Sequence, residues 1–278
     1  MKRNLASSIS PLSSPWLFFL FVLGWTWLFW IPTALSGLSV GTPIATSGFV
    51  LGGLGPPLGG VAFTYLTQGK EGRRDYWLRI IDPRRINARW YLVVFLFAPV
   101  LTALAALLDI LCGGSGATLE EAALRFLSAP LAIIPFALYL FFVGPFAEEL
   151  GWRGYVLDRL QARWNALSSS LILGIVWALW HLPLFFIRGT YQYDLRAGSL
   201  SFWLLMIDLI PGAILLTWVF NNTRRSTLAA ILLHFMGNLT GELIASSKRT
   251  DLFATLLWIV AAIVVTVLWG SRSLTRNR

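Results

Sequence analysis

Glu148 and Glu149 stand side by side in an apolar stretch, between Phe141-Phe142-Val143 and Tyr155-Val156-Leu157, with Arg153 four residues further on. A charged side chain at bilayer depth costs a few kcal/mol or more, so each one present there implies a function. On a helix, Glu149 and Arg153 are i, i+4 neighbours in the favourable acid-first order and pair. Glu148 is turned about 100° away and has no local cation. One carboxylate is then held as structure, and the other is left for chemistry. The bland alternative is two glutamates at a cytoplasmic helix end.

The chain has two histidines, and both lie in apolar stretches. His234 and Asn238 are i, i+4 and share a helical face, as do Trp177 and His181. These types suit hydrolysis by an activated water. Glu148 would take the proton of the water, and His181 would orient that water or shuttle the proton. His234 and the Asn238 amide would donate to a developing oxyanion, worth about 3 kcal/mol per donor. A serine or cysteine nucleophile has no comparable setting: Ser168-Ser169-Ser170 opens a span and Cys112 is remote.

The elements that must position these groups are membrane helices. Of the 278 residues 56% are hydrophobic and 13% charged, about half the charge of a soluble domain. The 14 Trp and 19 Phe supply interfacial belts. The net charge of +9 comes from loop arginines and suits an anionic inner leaflet. With no soluble basic domain, nucleic acid is not an expected partner. The single Cys112 excludes an internal disulfide and a thiolate zinc cluster. The first apolar segment lacks a small-residue cleavage site and reads as an anchor.

The spacing predicts an all-α, polytopic bundle of about eight transmembrane helices forming a single domain, 1–278, with the motif-bearing core at about 131–245. The spans run near 16–32, 44–66, 90–111, 131–157, 168–186 and 202–220, then from Arg224-Arg225 through His234 and Asn238, and lastly 252–269. Gly55-Pro56-Pro57 should break or kink the second span, and its small residues allow close helix contact. The basic segment from Lys70 to Arg89 reads as a short interfacial helix. With both termini cytoplasmic, Lys2, Arg3, the Lys70–Arg89 segment, Arg153, Arg159, Arg163, Arg224, Arg225, Arg272, Arg276 and Arg278 face inward. Arg125, Arg188, Arg196, Lys248 and Arg249 remain outside, which satisfies the positive-inside rule and an even span count. The protein is expected in the cell membrane as a multi-pass protein.

Depth ties the chemistry together. Measured from the cytoplasmic face, Glu148 lies roughly 15 Å deep, His181 roughly 18 Å, and His234 and Asn238 roughly 13 and 19 Å, at 1.5 Å per residue. Three helices thus bring their polar groups to a similar level.

Glu148-Glu149-x-x-x-Arg153, an aromatic-x-x-x-His ending at His181, and His234-x-x-x-Asn238 resemble the three motifs of the CAAX protease and bacteriocin-processing (CPBP, or Abi) intramembrane proteases, relatives of the type II CAAX prenyl endopeptidase. They occur in the same order on successive spans. The second motif of the family usually has Phe where this chain has Trp177, an aromatic exchange that touches pocket shape. The resemblance implies an eight-helix bundle with a water-filled cavity open to the cytoplasm. It also implies a membrane-embedded or lipid-anchored peptide or protein as substrate. In it Glu148 activates water with His181, His234 and Asn238 bind the oxyanion, and Arg153 buttresses Glu149. No cofactor is expected. The alternative is a zinc site of Glu149, His181 and His234 with an open position, disfavoured because Glu149 already has Arg153 as a partner.

Two readings from other classes compete. Intramembrane Glu and His with Asp208 could relay protons in a transporter, although the internal repeat that many such folds carry is absent. The motifs could also persist in a non-catalytic bacteriocin-immunity scaffold.

Overall fold

Proline in a first helical turn sacrifices no hydrogen bond, and α1 (Pro15–Ser36) and α2 (Pro43–Gly53) both begin on one. The computed structural model describes residues 11–276; Lys2, Arg3 and Arg278, expected inside, lie outside the described residues. The second span breaks at Leu54, and α3 (Gly55–Thr67) restarts it through Pro56-Pro57, as the sequence implied. The basic segment forms α4 (Lys70–Ile81), followed by α5 (Ala88–Leu111).

A short strand β1 (Ala117–Leu119) and α6 (Glu121–Ser128) lead to the motif-bearing span, Pro130–Gln161. That span comprises α7 (Ile133–Phe141), a π-helical turn Phe142–Phe146, α8 (Ala147–Gly151), a second π-helical turn Trp152–Val156, and α9 (Leu157–Gln161). Next come α10 (Ala166–His181), a 3-10 turn Leu182–Phe186, α11 (Tyr191–Asp194), α12 (Leu200–Asn222) and α13 (Thr227–Leu243). Strand β2 (Ile244–Ser246) pairs antiparallel with β1, and α14 (Lys248–Trp269) closes the described chain. The later helices are capped by side chains: Asn165, Ser199, Ser226 and Ser247 each accept a backbone N–H of the turn they open.

Among the described residues, seven helical runs are long and apolar enough to cross a membrane, so this is a multi-pass membrane protein. The helix carrying His234, α13, has 17 residues, about 26 Å of rise and so just short of a typical span. It packs between α5 and α12. Together these make the helical bundle of about eight expected from the sequence.

Two features fix the motif span in place. Its α8 meets α3 backbone to backbone: a Cβ on Gly60 would strike the Leu150 carbonyl, and one on Gly151 would lie 2.6 Å from the Pro56 carbonyl oxygen. The Tyr76 hydroxyl of α4 then donates to Leu150 O at 3.1 Å. At its far end Asp158 accepts from Arg79 at 2.6 Å and pairs with Arg225. Arg224 and Arg225 form the α12–α13 turn in the left-handed conformation (φ 52° and 58°), and Arg85 donates to Arg224 O at 2.8 Å. The α4 segment, the end of the motif span and the α12–α13 turn therefore share one end of the bundle. There Asp75 accepts from Arg79 and Arg85, each at 2.6 Å. Burial pushes its carboxyl up, but those two arginines outweigh it and hold it below the ordinary aspartate range.

Candidate active site

Pro145 lacks the N–H that an α-helix would use here, and the turn around it, Phe142–Phe146, widens into a π-helix. A second π-turn follows Gly151. Such turns are rare and recur at functional sites; here they bracket the two glutamates. Both carboxylates consequently point into protein, Glu148 with 7% of its surface exposed and Glu149 with none.

Glu149 is the more heavily tied. Arg153 Nη1 donates to Oε1 at 2.9 Å and to Oε2 at 3.0 Å, and Arg153 Nη2 donates to Ala213 O of α12 at 3.4 Å. The same Oε1 lies 3.1 Å from His234 Nδ1. A buried carboxylate and guanidinium held in this way are neutralised together, where either alone would be costly. With Nδ1 turned to Glu149, Nε2 is the His234 nitrogen left for a ligand; it donates to an anion when the ring carries both protons.

Glu148 is held differently. The Trp177 indole of α10 donates to its Oε2 at 2.5 Å. The Trp177 backbone carbonyl also receives His181 Nδ1 at 2.9 Å. A carbonyl only accepts, so Nδ1 carries the proton, and Nε2 of a neutral His181 presents a lone pair. The Trp177 ring lies edge-on to His234 at 5.1 Å between centroids, and the Arg153 guanidinium carbon is 5.3 Å from its centre.

Asn238 completes the cluster from α13. Gly144, in the first π-turn, separates it from Glu148: a Cβ at that glycine would lie 3.5 Å from Asn238 Nδ2 and 4.0 Å from Glu148 Oε1. Among the described residues no hydrogen-bond partner is found for the Asn238 amide, and Glu148 Oε1 faces the same gap. All six residues singled out from the sequence thus meet between the motif span, α10 and α13. Trp177 and Gly144 were not among them. An indole N–H in an apolar helix must find an acceptor, and that requirement was the available signal for Trp177.

A profile for Rce1-like type II CAAX prenyl endopeptidases matches residues 130–240, which contain every residue of this cluster. The chain is also 32% identical to "CAAX prenyl protease 2" of Methanococcus maripaludis, over 91% of this chain and 93% of that protein. The chain belongs to the type II CAAX prenyl endopeptidase family. The resemblance drawn from the three motifs is therefore correct.

The donor set at this site is committed within the protein. Both Glu149 oxygens are taken by Arg153, and one also by His234. Among the described residues no group of three or more His, Cys, Asp or Glu is placed to hold a metal. The expected alternative of Glu149, His181 and His234 as zinc ligands does not fit this arrangement, because Glu149 serves Arg153 and His234 instead. Asp208, the residue a proton relay would need, lies apart from the cluster on α12 and accepts from Thr255 of α14 at 3.1 Å.

Proposed function

We propose that the protein is an intramembrane endopeptidase of the cell membrane. It hydrolyses a peptide bond near the C-terminus of a lipid-anchored or membrane-embedded protein or peptide. The name of the archaeal relative supports the lipid-anchored class. The observation that carries the mechanism is the separation of the two carboxylates. Glu149 is spent on Arg153 and His234, while Glu148 keeps Oε1 toward the gap beside Asn238.

In this reading a water bound between Glu148 Oε1 and His181 Nε2 gives one proton to Glu148 as its oxygen attacks the scissile carbonyl carbon. The carbonyl oxygen becomes an oxyanion and accepts from the Asn238 amide and from His234 Nε2–H. Collapse of the tetrahedral species restores the carbonyl and breaks the C–N bond. The leaving amine takes the proton that Glu148 holds, so the carboxylate is regenerated. A donor held beforehand, as His234 is by Glu149, needs no reorganisation during reaction, and this is where much of the rate enhancement would arise.

The test is Glu148→Gln in detergent-purified protein with a peptide substrate bearing a C-terminal lipidated cysteine motif. Hydrolysis should vanish while substrate binding and thermal unfolding stay near wild type. Full activity would remove the general base and the mechanism with it. Chelator treatment of the wild type should leave the rate unchanged. Inactivation reversed by stoichiometric zinc would replace the metal-free mechanism. A wild-type protein that binds peptide but never cleaves would favour the scaffold reading.

A further inference from the structure

We propose that Trp177 is a positioning residue for the hydrolysis, its indole N–H holding the Glu148 carboxylate in the orientation that receives the proton of the water. The inference rests on the reading of Glu148 as general base. A glutamate carboxylate turns freely about its last torsion, and among the described residues Glu148 has no paired cation to stop it, in contrast to Glu149. What fixes it is the Trp177 Nε1–H on Oε2. That contact leaves Oε1 beside Gly144 and Asn238, on the side where a scissile carbonyl must sit.

The ring itself cannot give way. Trp177 is 3% exposed, lies edge-on to His234 and carries Arg153 near its face. Its backbone carbonyl orients His181. One residue therefore sets the carboxylate through its side chain and the neighbouring imidazole through its backbone. Any displacement of this part of α10 moves both together.

Trp177→Phe keeps an aromatic ring and removes the donor. The expected result is a fall in kcat of about tenfold or more, the loss typical of a hydrogen bond to a charged group, with KM within about twofold. The loss should fall on kcat and spare KM, because the donor acts on the reacting carboxylate and not on the bound peptide. The ionisable groups around Glu148 (Glu149 and Arg153 on its own span, His181 from α10, His234 from α13) are common to both proteins. A fall in kcat at unchanged KM and unchanged thermal midpoint therefore reports the missing donor, and a packing defect alone would not produce it.

Should the smaller ring lower the thermal midpoint, replacing Trp177 with 3-benzothienylalanine keeps the bicyclic shape and exchanges N–H for sulfur; the same losses are expected. Wild-type kcat in a folded variant of either kind would overturn the proposal. Failure of the underlying reading looks different: Glu148→Gln would then remain active, whereas failure of this inference alone leaves Glu148→Gln inactive and the Trp177 variants normal.

Discussion

Oε1 of Glu149 is shared between Arg153 Nη1 at 2.9 Å and His234 Nδ1 at 3.1 Å, so one buried oxygen joins the motif span to α13. The pair that the sequence read as local support is also the tether of a candidate oxyanion donor on another helix. Stability and chemistry meet at this atom and can be separated by substitution.

Arg153→Leu leaves Glu149 buried and unpaired and should destabilise the fold by about 3–5 kcal/mol. Adding Glu149→Leu should recover part of that stability, because the uncompensated charge disappears. It should not recover activity, since His234 then has no anchor. Thermal unfolding and peptide cleavage of the three variants check both halves, and failure of the double variant to regain stability would mean that the two side chains do not pair.

Asn238→Ala and Gly144→Ala should divide along kcat and KM. The first removes one oxyanion donor and should lower kcat roughly 10²–10³-fold with little change in KM. The second adds a methyl at ordinary contact distance from Asn238 and Glu148, in a helical turn that tolerates alanine. It should leave the thermal midpoint unchanged while crowding the substrate and reducing kcat/KM roughly ten- to a hundredfold. Steady-state kinetics on both, against wild type, decides the matter.

Much of this arrangement was legible in the sequence. Apolar run lengths and the placement of Lys and Arg gave the spans, Gly55-Pro56-Pro57 marked the break before α3, and the spacing of Glu149 to Arg153 fixed a contact within one helix. What helical periodicity does not encode is a partner on another helix. The His234–Glu149 contact crosses 85 residues of chain and the Trp177–Glu148 contact 29. Glu148 therefore looked unpartnered until α10 was in place. The β1–β2 pair escaped notice for a related reason: three-residue strands beside helix ends leave no alternation to detect.

The Asp75 cluster gives a pH dependence. Its carboxyl is depressed in the folded protein by Arg79 and Arg85, so its contribution is present above the unfolded value, near 4. That contribution is lost as pH falls through the folded value. Asp75→Asn should lower the thermal midpoint modestly at pH 7. It should also flatten the further fall that the wild type shows as the pH drops below about 4, the ordinary aspartate value. Parallel midpoint-against-pH curves for the two proteins would count against the cluster.

Orientation can be read with thiol labelling, once the exposed Cys112 has been replaced. Arg84→Cys and Arg224→Cys should react with an impermeant reagent only when the cytoplasmic side is open, because their segments share one end of the bundle. Arg196→Cys should react in intact cells. Labelling of Arg84→Cys from outside would invert the topology.

The two π-turns give the motif span a counting rule. A π-turn is a helical turn that has accepted one more residue by widening, while the helix on either side keeps its facing. Deleting a single residue from Phe142–Phe146 would leave a plausible membrane helix of nearly the same length and hydrophobicity. The wide turn would close to an α-turn and absorb the loss, whereas the same deletion within Ala147–Gly151 would swing everything before it by about 100° relative to the helix beyond. Single-residue deletions should therefore be tolerated better inside the two π-turns than between them, and the aim of the two carboxylates depends on how many residues the chain spends as well as on which ones.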